Sequence, residues 1–396
     1  MAEKRKILVV TRRAKVGVGG AETQLLSLVR GLSPRYQLHV TYENGPLLED
    51  FVKAGVTICP ITITGKFDFT GLLRLRRYAK HSGIDLINSQ GPDLDWISAL
   101  VALSLSRPLI ITRHSDISWF VRRSAIVKFL FRIVDFFSLT VAKTVITVSN
   151  KGQKAIETFA SLARTRVVCI HNAINISYGN NNGNPDEWAK PLNKVVGMVA
   201  QMTVDKGYDT LIQTAVDVVK AVPKTKFLIV GDGPERGKIE SLVESLDLSD
   251  HFQFVGFQKD VAPYYHSMDV LVLPSHREGF PMVLLEAMQL SKPVVATDVG
   301  GVSEIVVDGI NGYLCREGSS YEIANAIIKL LRDKQLRDQF GSAAKAHIAK
   351  NFTVFKMAAA YDREYSLVLK CKDNLFPIEG VGKRFDMIFK KDRRLT

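Results

Sequence analysis

Long apolar runs are missing from this 396-residue chain. The longest is interrupted by Lys128, Arg132, Asp135 and Lys143, so none reaches the roughly 20 apolar residues that a membrane-spanning helix needs. The start, MAEKRKILVV, holds one strand's length of apolar residues, with no secretory apolar core and no small-residue cleavage site, which predicts a cytoplasmic protein. Cysteine is scarce. Cys59, Cys169, Cys315 and Cys371 stand far apart with no CxxC pair, which argues against a zinc site and for a reducing compartment; no metal is expected. Zinc-finger spacing, RNP-like runs and basic-zipper patterns are also missing, so nucleic acid is not an expected partner.

What is present is basic charge, and it is unevenly placed. Residues 1–190 hold 26 Lys+Arg against 14 Asp+Glu, a net +12, whereas residues 191–396 hold 27 against 26. A basic half suggests an anionic partner, such as a phosphorylated substrate or an anionic membrane. The segment 119–137 mixes aromatic, aliphatic and basic residues. On a helical wheel Lys128, Arg132 and Asp135 share one side, and Trp119, Ile126, Leu130 and Phe137 the other. It reads either as a helix under a sheet or as an interfacial helix on anionic lipid, with Arg122 and Arg123 flanking the apolar side.

The length suits two domains. Strand-like runs at 6–10, 38–42, 85–88, 109–112 and 144–148 alternate with helical patterns, the first of them over 22–32, and the alternation resumes from Val195. Alternation of this kind implies parallel sheets built from βαβ units. The Asn-, Gly- and Pro-rich segment NISYGNNNGNPDEWAKP between them reads as a linker. The expected fold is α/β, two Rossmann-like doubly wound domains facing across a cleft. The expected divisions are 1–175, a linker at 176–191, 192–352, and a tail at 353–396. The tail comprises a helix, with Phe355, Ala359, Tyr361 and Leu367 as packing candidates, and a basic end that is either frayed or membrane-touching.

The densest chemistry lies in SHREGFPMVLLEAM. Glu278 follows an apolar strand-like run, and Gly279-Phe280-Pro281 should open a helix at Pro281, with Glu286 about two turns in. A helix N-terminus attracts phosphate, and carboxylates beside it accept hydrogen bonds from hydroxyls, which together suggest a sugar nucleotide. A solvated acidic loop before an ordinary helix is the plainer reading. Gly17, Gly19 and Gly20 lie between a strand and a helix, where bare backbone can approach a phosphate or simply turn; the dinucleotide fingerprint fails, because Glu22 stands where its last glycine belongs. Lys206 precedes a helix and can neutralise a leaving diphosphate, or merely be solvated. His114 follows the strand-like LIIT and can meet a sugar hydroxyl, or be satisfied by backbone; Asp116 beside it can cap the next segment. Gly300 and Gly301 bring backbone N–H groups near a ligand, and Glu304 can serve it or favour the dipole of a helix first turn.

Read in order, VVGMVAQMTVDKGYDTLI, FLIVGDGPER, VLVLPSHREGFPMVLLEAM and PVVATDVGGVSEIV resemble the retaining glycosyltransferases of family 4, which have the GT-B fold. The resemblance runs from Lys6 to about Leu369 and is strongest over 274–304, where Glu278, Gly279, Glu286, Gly300, Gly301 and Glu304 match. It implies transfer of a sugar from a nucleotide-diphosphate sugar, without a metal or other cofactor. It implies His114, Lys206 and Glu278 as catalytic residues. Gly19, Gly20, Gln201, Lys206, Gly279, Phe280, Pro281, Met282, Val283 and Glu286 are then donor-binding, with Glu304 and Asp116 as further candidates. Glu286 would hold the ribose, Glu278 the transferred sugar, and Lys206 with the 279–283 turn the diphosphate. The family places an Arg where this chain has Gln201, which carries no charge and cannot form the guanidinium fork. Asn172 matches an interdomain turn and is expected to be structural. The acceptor is expected to be a glycan or lipid-linked molecule at an anionic membrane, in bacterial lipopolysaccharide or surface-polysaccharide synthesis. A catalytically weak sugar-nucleotide-binding scaffold, favoured by Gln201, and a transferase for small soluble acceptors are the alternatives.

Overall fold

The structure, a computed structural model, describes residues 4–370 except 13–17, 33–34, 66–67, 115–124, 176–177 and 179–193, and the side chains of 125–129. Its first half comprises β1 (Arg5–Val10), α1 (Gly20–Gly31), β2 (Tyr36–Thr41), α2 (Leu48–Lys53), β3 (Thr57–Cys59), α3 (Phe69–His81), β4 (Leu86–Ser89), α4 (Asp95–Ser104), β5 (Leu109–Arg113), α5 (Ala125–Val141), β6 (Thr144–Thr147), α6 (Asn150–Ala163) and β7 (Arg166–Cys169). The second comprises β8 (Lys194–Val199), α7 (Tyr208–Ala221), β9 (Thr225–Val230), α8 (Arg236–Ser245), β10 (Phe252–Gly256), α9 (Ala262–Ser267), β11 (Val270–Leu273), α10 (Met282–Gln289), β12 (Val294–Thr297), β13 (Gly312–Cys315), α11 (Ser320–Arg332), α12 (Lys334–Asn351) and α13 (Val354–Lys370).

Two separate sheets result, both wholly parallel: β3-β2-β1-β4-β5-β6-β7 and β10-β9-β8-β11-β12-β13. The strands are continuous apolar runs because both faces of each sheet are covered. Ile7 and Val9 pack to one side of the first sheet, Leu8 and Val10 to the other. Val270 and Val272 likewise face away from Leu271 and Leu273. The order reverses between β1 and β4 and between β8 and β11, and at such a switch point the connections diverge and leave a crevice beyond the strands' carboxyl ends.

The chain crosses between the sheets twice. Ile174 and Thr353 form an isolated parallel bridge, with the Ile174 N–H donating to Phe352 O at 3.0 Å, so the outgoing and returning crossings run side by side. After the return, α13 packs on the first half: Met357, Ala358, Tyr361, Tyr365, Val368 and Leu369 join the cluster built by β1, β2 and α1. This corrects the expected packing face. Of the four candidates only Tyr361 is buried; Phe355 is 81% exposed, Leu367 is 43% exposed, and Ala359 faces solvent. The buried row 357, 361, 365, 368 follows helical spacing, and apolar residues off that row stay outside.

The wheel for 119–137 is corrected as well. Asp135 is buried and pairs with the buried Arg113, which also meets Asp95 at 2.8 Å, while Leu130 is 55% exposed. A buried guanidinium needs carboxylate partners, so the acidic residue of α5 turns inward. Residues 119–123 lie outside those described, as does the basic tail beyond 370.

The seating of α13 is tight at Gly31, where an added Cβ would stand 2.5 Å from Val354 Cγ1 and 3.0 Å from Ala358 Cβ. Gly31→Val is therefore expected to destabilise the N-terminal half by about 1–3 kcal/mol through overpacking. A thermal transition unchanged from the wild type would mean that α13 does not brace the first sheet.

Candidate active site

A cleft of about 1030 Å³ opens between the carboxyl ends of the two sheets. The loops after β1, β5, β8, β11 and β12 all contribute to its lining. Gly19, Gly20, His114, Gln201, Lys206, Glu278, Gly279, Phe280, Pro281, Met282, Val283 and Glu286 all lie on its wall. Asp116 lies outside the described residues.

Lys206 and Glu278 occupy the centre. Lys206 ends a 3-10 turn over Val204–Lys206, and Gly207 then takes a left-handed conformation (φ 68°) to open α7. A Cβ at Gly207 would stand 2.0 Å from Pro274 O, so only glycine lets this turn lie against the end of β11. That approach brings Lys206 Nζ within 2.7 Å of Glu278 Oε1, which also accepts from Ser275 Oγ at 2.8 Å. Burial pushes the Lys206 pKa down, but the adjoining Glu278 carboxylate outweighs it, so the net shift is upward and the side chain stays a cation. The turn carrying Glu278 is fixed from the other side by Gly300 (φ 53°), where a Cβ would meet Glu278 O at 1.7 Å, and by Gly301 N donating to Gly279 O at 2.8 Å.

Glu286 sits one turn into α10, whose first helical residue is Met282 with Pro281 as N-cap, so the helix begins a residue later and the carboxylate lies a turn earlier than the sequence suggests. Its carboxyl is buried and accepts from the Tyr265 hydroxyl at 2.8 Å. Burial raises its pKa to about 7, against the lowering effect of the Tyr265 hydrogen bond. Tyr265 carries no sequence signal of its own: it comes from α9 and meets Glu286 only through the fold. On the cleft wall the N-termini of α1 and α10 converge, with a Cβ at Gly20 only 3.7 Å from Met282 Cγ. Two helix N-termini and one ammonium make this zone attractive to an anion.

His114 lines the cleft from the first half. Its Nε2 lies 2.6 Å from Gln90 Oε1, and burial lowers its pKa to about 4, so it is neutral at physiological pH.

Glu304 is a correction. It does not line the cleft, and it ends a short 3-10 turn over Val302–Glu304 instead of opening a helix of its own. Its carboxylate reaches the N-terminus of α6 in the other half, accepting from Asn150 N at 2.9 Å, Asn150 Nδ2 at 2.8 Å and Lys151 N at 3.1 Å, and it meets His171 Nε2 at 2.7 Å. Burial would raise its pKa, but His171 and the two backbone N–H groups hold it down at about 2. Cys169 Sγ approaches within 4.8 Å of the same groups, a thiol–imidazole–carboxylate set able in principle to take a cation; both Glu304 oxygens are already used as helix caps. Asn172 lines the cleft as well, and its Nδ2 donates across the halves to Phe280 O at 2.9 Å.

Two Rossmann-like domains with a cleft between the carboxyl ends of their sheets define the GT-B fold of glycosyltransferases. A solved structure of this fold, Anabaena Alr3699/HepE in complex with UDP and glucose, superposes with a TM-score of 0.77 at 24% identity, over 92% of this chain and 100% of that one. Residues 18–178 match the family described as Glycosyltransferase Family 4, and residues 184–347 match Glycosyl transferases group 1. MJ1178 of Methanocaldococcus jannaschii, an uncharacterized glycosyltransferase, is 30% identical over 72% of this chain and 75% of its own length. The chain belongs to the group 1, family 4 glycosyltransferases. The capsular polysaccharide biosynthesis glycosyltransferase CapM of Staphylococcus aureus is 25% identical over 84% of this chain and 90% of that protein. The N-acetyl-alpha-D-glucosaminyl L-malate synthase of Bacillus anthracis is 37% identical over 40% of this chain, a match spanning 43% of that enzyme.

Glu286 makes stability depend on pH. Its folded pKa of about 7 lies above the ordinary 4.5, so its burial is harmless below pH ~4.5, where folded and unfolded chains are both protonated. Destabilisation then grows until the folded carboxyl has ionised, reaching on the order of 3 kcal/mol at alkaline pH. Glu286→Gln, which cannot ionise, should gain stability over the wild type as pH rises from 5 to 8, read by urea denaturation at each pH. A difference that stays flat across this range would show that Glu286 is ionised throughout.

Proposed function

We propose that the cleft binds a nucleotide-diphosphate sugar and transfers its sugar, with retention at the anomeric carbon, to a glycan or lipid-linked acceptor in bacterial surface-polysaccharide synthesis. The Lys206–Glu278 pair, on a cleft wall that also holds the N-termini of α1 and α10, carries this reading, because it sets a cation for a diphosphate beside an acceptor for hydroxyls. Glu286, with Tyr265 behind it, receives the ribose hydroxyls. On donor binding Lys206 turns from Glu278 to the β-phosphate, and Glu278 takes a hydroxyl of the transferred sugar. Lys206 and the α1 and α10 N-termini stabilise the charge that grows as the bond from the anomeric carbon to the diphosphate breaks. The acceptor oxygen attacks from the same face, and its proton passes to the departing phosphate oxygen. No cofactor is assigned a role. Gln201 hydrogen-bonds the diphosphate where an arginine would add charge, which favours modest donor affinity.

A panel of UDP-, GDP- and ADP-glucose should contain at least one donor that raises the melting temperature, since a ligand of the folded state stabilises it. At pH 8, where the carboxyl is ionised, Glu286→Gln should weaken that binding by about 1.5–3 kcal/mol, the value of a hydrogen bond to a charged group. Lys206→Ala should lower donor hydrolysis more than donor binding, measured on protein shown to be folded, because the change leaves Glu278 without its cation. A lysine variant with wild-type turnover, or no thermal shift with any donor, removes the proposal.

The acceptor side has its own support. Among the described residues no helix is long and apolar enough to cross a membrane. Helix α3, however, shows solvent Phe69 and Leu73, 65% and 64% exposed, followed along the same side by Arg74, Arg77 and Lys80; no acidic residue lies within the helix. Apolar residues at one end and cations along the rest suit the boundary of an anionic bilayer, where each cation contributes about 1 kcal/mol. Co-sedimentation with phosphatidylglycerol vesicles is expected at low salt and should fade at high salt, with little recovery on phosphatidylcholine. Arg74→Glu with Arg77→Glu, or Phe69→Ser with Leu73→Ser, should abolish it and leave donor hydrolysis intact. Equal recovery on both lipids, or on neither, would point to an acceptor met in solution.

A further inference from the structure

Behind His114 runs a hydrogen-bonded chain that the transfer reaction as described does not use. Gln90 directly follows β4, at the switch point of the first sheet, and its backbone N–H donates to Val10 O at 2.9 Å. Its side chain is buried. Gln90 Oε1 lies 2.6 Å from His114 Nε2, and Gln90 Nε2 donates to Asn88 Oδ1 at 3.3 Å. Asn88 is fully buried; its Oδ1 also accepts from Thr112 Oγ1 at 3.0 Å, and its Nδ2 donates to the hydroxyl of Tyr365 at 2.7 Å. Tyr365 belongs to α13, so the returning helix is wired through β4 and β5 to the wall of the cleft.

An amide has one accepting and one donating end, and a chain of amides therefore has a direction. In the orientation the network has, Asn88 Oδ1 accepts from Thr112 Oγ1 and Gln90 Nε2, and the Gln90 oxygen faces His114. The imidazole must then carry its proton on Nε2 and keep a lone pair on Nδ1. That Nδ1 is buried and has no partner among the described residues, although the residue lines the cleft. A buried acceptor without a partner is costly unless a ligand supplies the donor.

We infer that Gln90, held by Asn88 and Tyr365, is a positioning residue that fixes His114 as the Nε2–H tautomer, so that Nδ1 accepts a hydrogen bond from a hydroxyl of the bound sugar. This rests on the reading of His114 as a group beside the transferred sugar. The tautomer itself can be read without any substrate.

The experiment is a long-range proton–nitrogen correlation spectrum of the full chain with 15N-histidine at neutral pH, with His114→Asn assigning the His114 signals among the eight histidines. A pyrrole-type Nε2 and a pyridine-type Nδ1 are expected for the wild type. A protonated Nδ1, or an imidazolium, would overturn the inference even if no Gln90 variant folds. In Gln90→Leu the two nitrogens should move towards averaged values, with turnover of the hydrolysed sugar nucleotide down about tenfold or more from lost orientation, and with affinity for UDP, GDP and ADP unchanged. A Gln90→Leu spectrum identical to the wild type would remove Gln90 as the positioning group. Altered nitrogens with wild-type turnover would remove His114 from the reaction, while donor recognition by Lys206 and Glu286, tested separately, would stand.

Discussion

The densest polar contact between the two halves of this protein is built on one carboxylate, beside the Asn172–Phe280 hydrogen bond and the Lys259–Asp50 ion pair. Glu304 comes from the second half and satisfies the exposed N–H groups at the start of α6 in the first, with Asn150 and His171 completing its shell. A helix N-terminus prefers an anion, and a carboxylate fed by several donors stays ionised, so the contact supports itself electrostatically. The backbone carrying Glu304 also carries Gly300 and Gly301, which rest on Glu278 and Gly279. The joint between domains and the seat of the central ion pair are therefore one structure.

Glu286 is the opposite case. It is buried with one side-chain donor, Tyr265, among the described residues, and its ionised form is disfavoured where that of Glu304 is favoured. A group so placed stores the capacity to accept more hydrogen bonds than the protein gives it, as a site for hydroxyls requires. The two glutamates stand eighteen positions apart, and their hydrogen-bond partners separate a carboxylate held ionised from one whose charge is disfavoured.

Much of the fold was legible in the sequence because parallel strands buried on both faces appear as short continuous apolar runs, and the glycine-rich turns mark where these end. The cleft residues were legible for the same reason: they follow strands. What the sequence did not disclose is who stands opposite whom. Lys206 and Glu278 are 72 positions apart and were given separate tasks, yet they pair with each other. Glu304 looked like a residue of its own helix and serves another 154 positions away. Phe355 and Leu367 are apolar but off the buried row of α13, whereas Asp135 is charged and buried because Arg113 lies beneath it. Spacing reports one element's periodicity; partners across elements are decided by tertiary packing.

The paired crossings at Ile174 and Thr353 bear on how such a chain can be recombined. The first sheet is covered by a helix that follows the second sheet in sequence, so the residues of the first half are split by those of the second. A single cut between β7 and β8 leaves α13 on the fragment that carries the second sheet, away from the cluster it packs in. An exchange that gives this protein another second half must replace an internal cassette, from before β8 to about Phe352, and leave both flanks in place. The second half is, in effect, an insertion into the first.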